Sequence, residues 1–151
     1  MIQHAIFSLD LDLRWQPIAN DDADQFNFRD DLRDITITLS AIDATLDGKQ
    51  IEDFTNYLVE SRLRAEDEAA THFSQSITIY EPIIVPRPWG RAVAYYGHDA
   101  SGRQFSYSGA VTTSGVINLY MTSTMLTERE LMAAMDEVNA RIEFDRTPIA
   151  N

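Results

Sequence analysis

The chain has 151 residues, no cysteine and a formal charge of −12. That length predicts a single domain, 1–151, with a core of its own, and the missing thiols exclude disulfides, thiolate metal sites and cysteine nucleophiles. Acidity on this scale repels phosphate backbones and steers association toward basic partners, so nucleic acid is not an expected ligand.

The charge is unevenly placed: residues 1–34 and 35–70 carry −5 each, residues 71–127 carry +1 and the remainder −3. Asp10, Asp12 and Arg14 interrupt the apolar pattern of the first twenty residues, which argues against a secretory leader. No run approaches the roughly 20 apolar residues a membrane helix needs. A cytoplasmic protein with no membrane contact is the expectation.

Residues 6–14 alternate strictly, with Phe7, Leu9, Leu11 and Leu13 on one side and Ser8, Asp10, Asp12 and Arg14 on the other, the period of a half-buried strand. Trp15, Gln16 and Pro17 end it. Residues 24–30 predict a short second strand burying Phe26 and Phe28. In the third, Ile35, Ile37, Leu39 and Ala41 point inward and Thr36, Thr38 and Ser40 outward, a β-branched composition that suits a pleated surface.

Asp47-Gly48 is read as a turn before a helix over about 50–69. Ile51, Phe54 and Leu58, with Arg62 and Ala65, form its stripe, and Glu52, Asp53, Glu60, Glu66, Asp67 and Glu68 lie on its wet side or fraying end. Strands resume over 72–81 and continue to Pro88, with Pro82, Pro86 and Pro88 marking a sheet edge or kinked connection. Residues 91–97 and 103–113 form a hairpin closed by GHDASG. After a turn at 113–115, the last strand buries Ile117, Leu119 and Met121.

The final helix carries the strongest local signature. Thr127 and Glu130 make a capping box, Leu126 and Leu131 occupy the staple positions, and Leu131, Met135, Val138 and Ile142 form one apolar stripe. The expected fold is α+β: an antiparallel sheet of about six or seven strands with both helices packed on one face.

Chemistry is hard to find. The histidines at 4, 72 and 98 lack metal-ligand spacing. His98-Asp99 lies in a turn, where an aspartate more often bonds its own backbone. The acidic stretch 20–31 departs from a calcium loop, having Gln25 where glycine is required and Asp31 in place of glutamate. No hydrolase elbow, phosphate loop or zinc-protease motif occurs. Neither enzymatic activity, nor a cofactor, nor a metal is expected.

What remains is the sheet face left uncovered. Alternation places Thr36, Thr38, Ser40, Gln104, Ser106, Ser108, Asn118 and Tyr120 there, with Tyr96 joining them. Hydroxyls with a few tyrosines make a platform for a partner, since tyrosine is enriched where proteins meet. Dimerisation is a further way to cover such a face.

The element order and several phrases, among them ITITLSAIDATLDGKQIEDFTNYLVESRL, WGRAVAYYGHDASGRQFSYSGAVTTSGVINLYMTST and ERELMAAMDEV, resemble the PsbP/Mog-type fold. Within it the chain is similar to the DcrB-like proteins, including the Eag chaperones of type VI secretion effectors. That resemblance implies a non-enzymatic protein, often dimeric, holding hydrophobic helices of an effector against a concave sheet face. The polar residues assigned to the face and the charge of −12 depart from that pattern. They fit instead an immunity protein that captures a basic toxin, where complementary charge speeds association.

Overall fold

The computed structural model describes residues 1–150. Eleven strands among them form two sheets, more than the six or seven expected. The excess comes from segments of two or three residues, too short to display a period. The predicted first strand survives only as β2 (Phe7–Leu9), which pairs with β1 (Ile2–Gln3) and with β11 (Ile142–Phe144) in a three-stranded sheet. Leu11 is half-buried and Leu13 is exposed. Trp15 is buried, and the residues after it form β3 (Gln16–Ile18) of the main sheet.

That main sheet runs β3, β4 (Gln25–Asp30), β5 (Ile35–Asp43), β10 (Gly115–Ser123), β9 (Gln104–Thr112), β8 (Gly90–Asp99). Two short strands, β6 (Ile77–Ile79) and β7 (Ile83–Arg87), share the outer side of β8. Every pairing is antiparallel. The hairpins β8–β9 and β9–β10 follow the predicted boundaries closely. Two of the outer strands carry proline, Pro17 in β3 and Pro86 in β7, which discourages pairing with a further strand there.

Two helices complete the fold: α1 (Gly48–His72) and α2 (Glu128–Asn139). They pack on opposite faces of the main sheet, not on one. Ile51 and Leu58 of α1 cluster with Val111 and Val116, whereas Leu131, Ala134, Met135 and Val138 of α2 cluster with Ile37, Leu39, Ile117, Leu119 and Met121. Val116 and Ile117 are neighbours in one strand and therefore point to opposite sides. Each face carries large side chains that need a cover: Phe105, Tyr107, Val111 and Val116 on the α1 side, and Ile37, Leu39, Ile117, Leu119 and Met121 on the α2 side. The small sheet joins α2 as a second cover, through Phe7, Leu9 and Ile142. Ile142 thus belongs to β11, beyond the end of α2.

Capping fixes where both helices begin. Thr127 accepts from the Glu130 amide while Glu130 reaches back to the Thr127 amide, as the sequence indicates. Asp47 and Gln50 form the equivalent box at α1, so Asp47 is a cap where a turn was expected. Among the described residues, no helix is long and apolar enough to cross a membrane.

Candidate functional site

The face under α1 is filled by a polar and aromatic network. Glu66, expected on the wet side of its helix, is only 5% exposed. Its carboxylate accepts hydrogen bonds from the hydroxyls of Tyr95 (2.8 Å) and Tyr120 (3.1 Å), and from Arg62 one turn earlier (3.3 Å). Arg62 also donates to the Tyr95 hydroxyl at 3.0 Å, and its guanidinium lies 5.1 and 5.0 Å from the ring centres of Tyr107 and Tyr120. Arg103 donates to the Tyr120 hydroxyl at 3.1 Å. Burial pushes the Tyr95, Tyr107 and Tyr120 hydroxyls well above the ordinary tyrosine range, so all three stay neutral donors. This arrangement ties α1 to the sheet; every charge on Glu66 is answered within the protein.

Beyond α1 the same face is bare over β4 and β5. Thr36, Thr38 and Ser40 stand opposite Arg29, Asn27 and Gln25 on one side and Thr122, Tyr120 and Asn118 on the other. Five predicted platform residues therefore come together: Thr36, Thr38, Ser40, Asn118 and Tyr120. They are half-buried rather than open, and Asn118 is engaged by the Tyr107 hydroxyl.

The other four, Tyr96, Gln104, Ser106 and Ser108, lie on the opposite face. Ser106 and Ser108 pair with Met121 and Leu119, and Ser106 also pairs with Tyr96, all on the side of α2. The predicted platform is thus two surfaces. Its assignment assumed that the large residues of β9 face the same way as Leu119. In the observed register Phe105 and Tyr107 face α1.

On the α2 side these small residues floor a cleft between the helix and the β7–β8 edge. One part, about 440 Å³, is bounded by Tyr80, Ile83, Tyr96 and Met132 over Ala94 and Ser106. The other, about 530 Å³, is bounded by Trp89, Ile142 and Phe144 over Ala92 and Ala110. Ser108 and Asn139 line both parts. Large side chains at the floor positions would close this space, and the sequence puts alanine and serine there. Exposed apolar groups flank it: Ile83 is 61% and Met132 48% exposed, the composition expected of a contact surface.

The other candidates have structural explanations. Asp99 accepts from the Ser101 and Arg103 amides and from the Ser101 hydroxyl, the turn role expected for it. His98 and Asp99, adjacent in β8, point to opposite faces. In the acidic stretch, Asn20 and Asp22 accept from the amides of Asp22 and Asp24, and Asp24 binds His4 at 2.7 Å.

With this geometry in place, the chain can be set beside known proteins. No protein-family model matches it, and no curated protein matches it in sequence. Among solved structures it is similar to the cyanobacterial PsbP (CyanoP) of Synechocystis sp. PCC 6803, with a TM-score of 0.66, 12% identity and 95% of each chain covered. The protein has a PsbP-like α+β fold.

Sequence reasoning missed Glu66, Tyr80, Ala94 and Met132. Two signals were present. Arg62 and Glu66 are one helical turn apart, and QFSYS in β9 alternates large and small so strictly that it separates a packed side from an open one.

Proposed function

We propose that this chain is a non-catalytic cytoplasmic protein that holds one cognate bacterial type VI secretion effector, by seating an apolar segment of it in the α2-side cleft. The observation that carries this reading is the run of small floor residues, Ala92, Ala94, Ser106, Ser108 and Ala110, between two walls. Those walls set Ile83, Met132, Trp89, Ile142 and Phe144 among charged groups, Arg87 and Arg146 at one end and Glu81, Glu128 and Asp136 at the other. Kinship with the DcrB-like proteins and Eag chaperones belongs to the same proposal. Against the objection raised by the sequence, the cleft offers exposed apolar groups, Ile83 and Met132, beside the Ser106 and Ser108 half of the predicted platform.

Charge selects the occupant. A second copy of the chain would bring another −12 against the first, whereas a segment with basic flanks is attracted. The prolines in the outer strands β3 and β7 favour an occupant lying across the face over one adding a strand there.

Co-expression tests the reading. The wild-type chain is expected to keep an effector's apolar N-terminal segment soluble and to co-purify with it, and Ser108→Trp, which fills the cleft where its two parts meet, to lose it. Equal retention by S108W, or dimerisation of the free chain through this cleft, would count against it.

The charge of −12 favours a second reading, an immunity protein for a basic toxin. It requires that the chain rescue cells from that toxin, and that reversing Glu81, Glu128 and Asp136 weaken the rescue. Unchanged rescue would remove the electrostatic argument.

A further inference from the structure

The Tyr80 end of the cleft differs from the rest of it. Its lining contains three carboxylates, Glu81, Glu128 and Asp136, and no lysine or arginine. Tyr80 lies parallel to Tyr96 with ring centres 5.5 Å apart, and Tyr80 is 46% exposed. Tyr96 is 6% exposed, and its hydroxyl is buried without a hydrogen-bond partner among the described residues. A buried hydroxyl left unpaired costs about 1–3 kcal/mol, and the α1 face of this same sheet leaves none of its tyrosine hydroxyls so placed.

We infer that this end is a cation subsite, taking the guanidinium or ammonium group of an arginine or lysine side chain carried by the bound segment. Each component has its part. The π-surface of Tyr80 attracts a cation electrostatically. Glu128 and Asp136, one at the start of α2 and the other two turns along, supply carboxylates on one wall, and Glu81 supplies a third on the other. The Tyr96 hydroxyl has lone pairs free to accept from an N–H. Met132 and Ala94 offer apolar contact to the methylene stem, which long basic side chains bury while keeping the head group solvated. Burial, then the nearby Glu128 carboxylate and Tyr80, push the Tyr96 hydroxyl up to about 12, so it remains protonated at neutral pH. This inference rests on the reading of the cleft as an effector-holding site. It adds that recognition requires a basic residue at a fixed position, not merely greasiness.

The test uses the full chain with ¹³C-methyl methionine, observing Met132 and Met135 by NMR, with buried Met121 as the internal control. The probes are the N-acetyl methylamides of arginine, lysine, citrulline and norleucine. Citrulline preserves the shape of arginine without its charge. The arginine and lysine probes are expected to shift Met132 saturably, with citrulline binding about tenfold more weakly. Tyr96→Phe and Glu128→Gln, both conservative, should each weaken the arginine probe several-fold while leaving the Met121 signal in place. Equal binding of arginine and citrulline, or arginine binding unaffected by both substitutions, overturns the cation subsite. If norleucine binds best while S108W still abolishes effector retention, the cation subsite fails and the holding function stands. If the arginine probe binds as expected but S108W retains the effector, the cation subsite stands and the holding function fails.

Discussion

Along β9, the residues facing α1 are Phe105, Tyr107, Gly109 and Val111, and those facing α2 are Gln104, Ser106, Ser108 and Ala110. One strand therefore presents a packed side and an open side, and the two covers differ to match. The 25-residue α1 brings Arg62 and Glu66 down onto the aromatic side, where the Glu66 carboxylate is bonded by Arg62, Tyr95 and Tyr120. The 12-residue α2 packs its apolar stripe against Ile37, Leu39, Ile117, Leu119 and Met121 and leaves a cleft over Ala92, Ala94, Ser108 and Ala110 of β8 and β9. Polarity is therefore a poor guide to a site in this fold. The most polar cluster is structural, and the space open to a partner is floored by alanine and serine.

The comparison breaks most readily at Glu66. Glu66→Ala leaves the Arg62 guanidinium partly buried without its carboxylate and takes an acceptor from two tyrosine hydroxyls, an expected loss of about 3 kcal/mol. Urea unfolding measures it. A double change to Arg62→Met and Glu66→Leu should recover part of the loss, because a matched apolar pair leaves no stranded charge. Hydrogen exchange should show the damage in α1 and not in α2.

Gly97 tests how tightly the α1 side is filled. A methyl group there would stand 2.5 Å from the Phe105 ring and 2.5 Å from the Thr78 carbonyl oxygen. The ring can tilt, but the carbonyl belongs to a neighbouring strand. Gly97→Ala is expected to cost about 1–3 kcal/mol, whereas Ala94→Gly on the open side of the same strand should cost less. Equal losses would show that the two sides are packed alike.

Asp34 links the start of β5 to the segment leading into α2. It accepts from the Thr124 hydroxyl and amide and from Arg29. The Thr124 hydroxyl, then Arg29, hold its carboxyl down at about 2, against 3.8 for an ordinary aspartate. A carboxyl depressed on folding stabilises the protein above its unfolded value, and the contribution disappears as pH falls from about 4 through about 2. Its size is about 1–2 kcal/mol once screening at this partly exposed site is allowed for. Asp34→Asn should lower the urea midpoint at pH 6 and flatten its decline between pH 4 and pH 2.

These same residues show what the sequence made legible. Strand β5 and helix α2 were readable because each has one buried stripe at its own period, Ile35-Ile37-Leu39-Ala41 and Leu131-Met135-Val138. The β8–β9 and β9–β10 hairpins were readable from their turn residues. The short strands β1, β3 and β11 were not, since two or three residues define no period. The platform was half legible: Thr36, Thr38 and Ser40 follow from β5, but the side on which Ser106 and Ser108 lie depends on the β9–β10 register, which local pattern leaves open when both faces are covered. Glu66 was masked for another reason, in spite of the Arg62 one turn before it. A glutamate beside Asp67 and Glu68 reads as solvated, and only tertiary pairing with Tyr95 and Tyr120 makes it a core residue.

On the open side, the cap of α2 bears directly on the cleft. Thr127→Ala removes the side-chain acceptor for the Glu130 amide and half of the reciprocal cap, a loss of about 1 kcal/mol. The first turn of α2 carries Glu128, one wall of the Tyr80 end of the cleft. Fraying that turn should loosen the site without disturbing the Leu131–Val138 stripe that holds the helix down. Thr127→Ala should therefore weaken a basic, cleft-bound peptide by more than its effect on the urea midpoint implies, while Thr127→Ser, which keeps the acceptor, should leave both unchanged. A peptide affinity that merely tracks global stability would mean that the start of α2 takes no direct part in shaping the cleft.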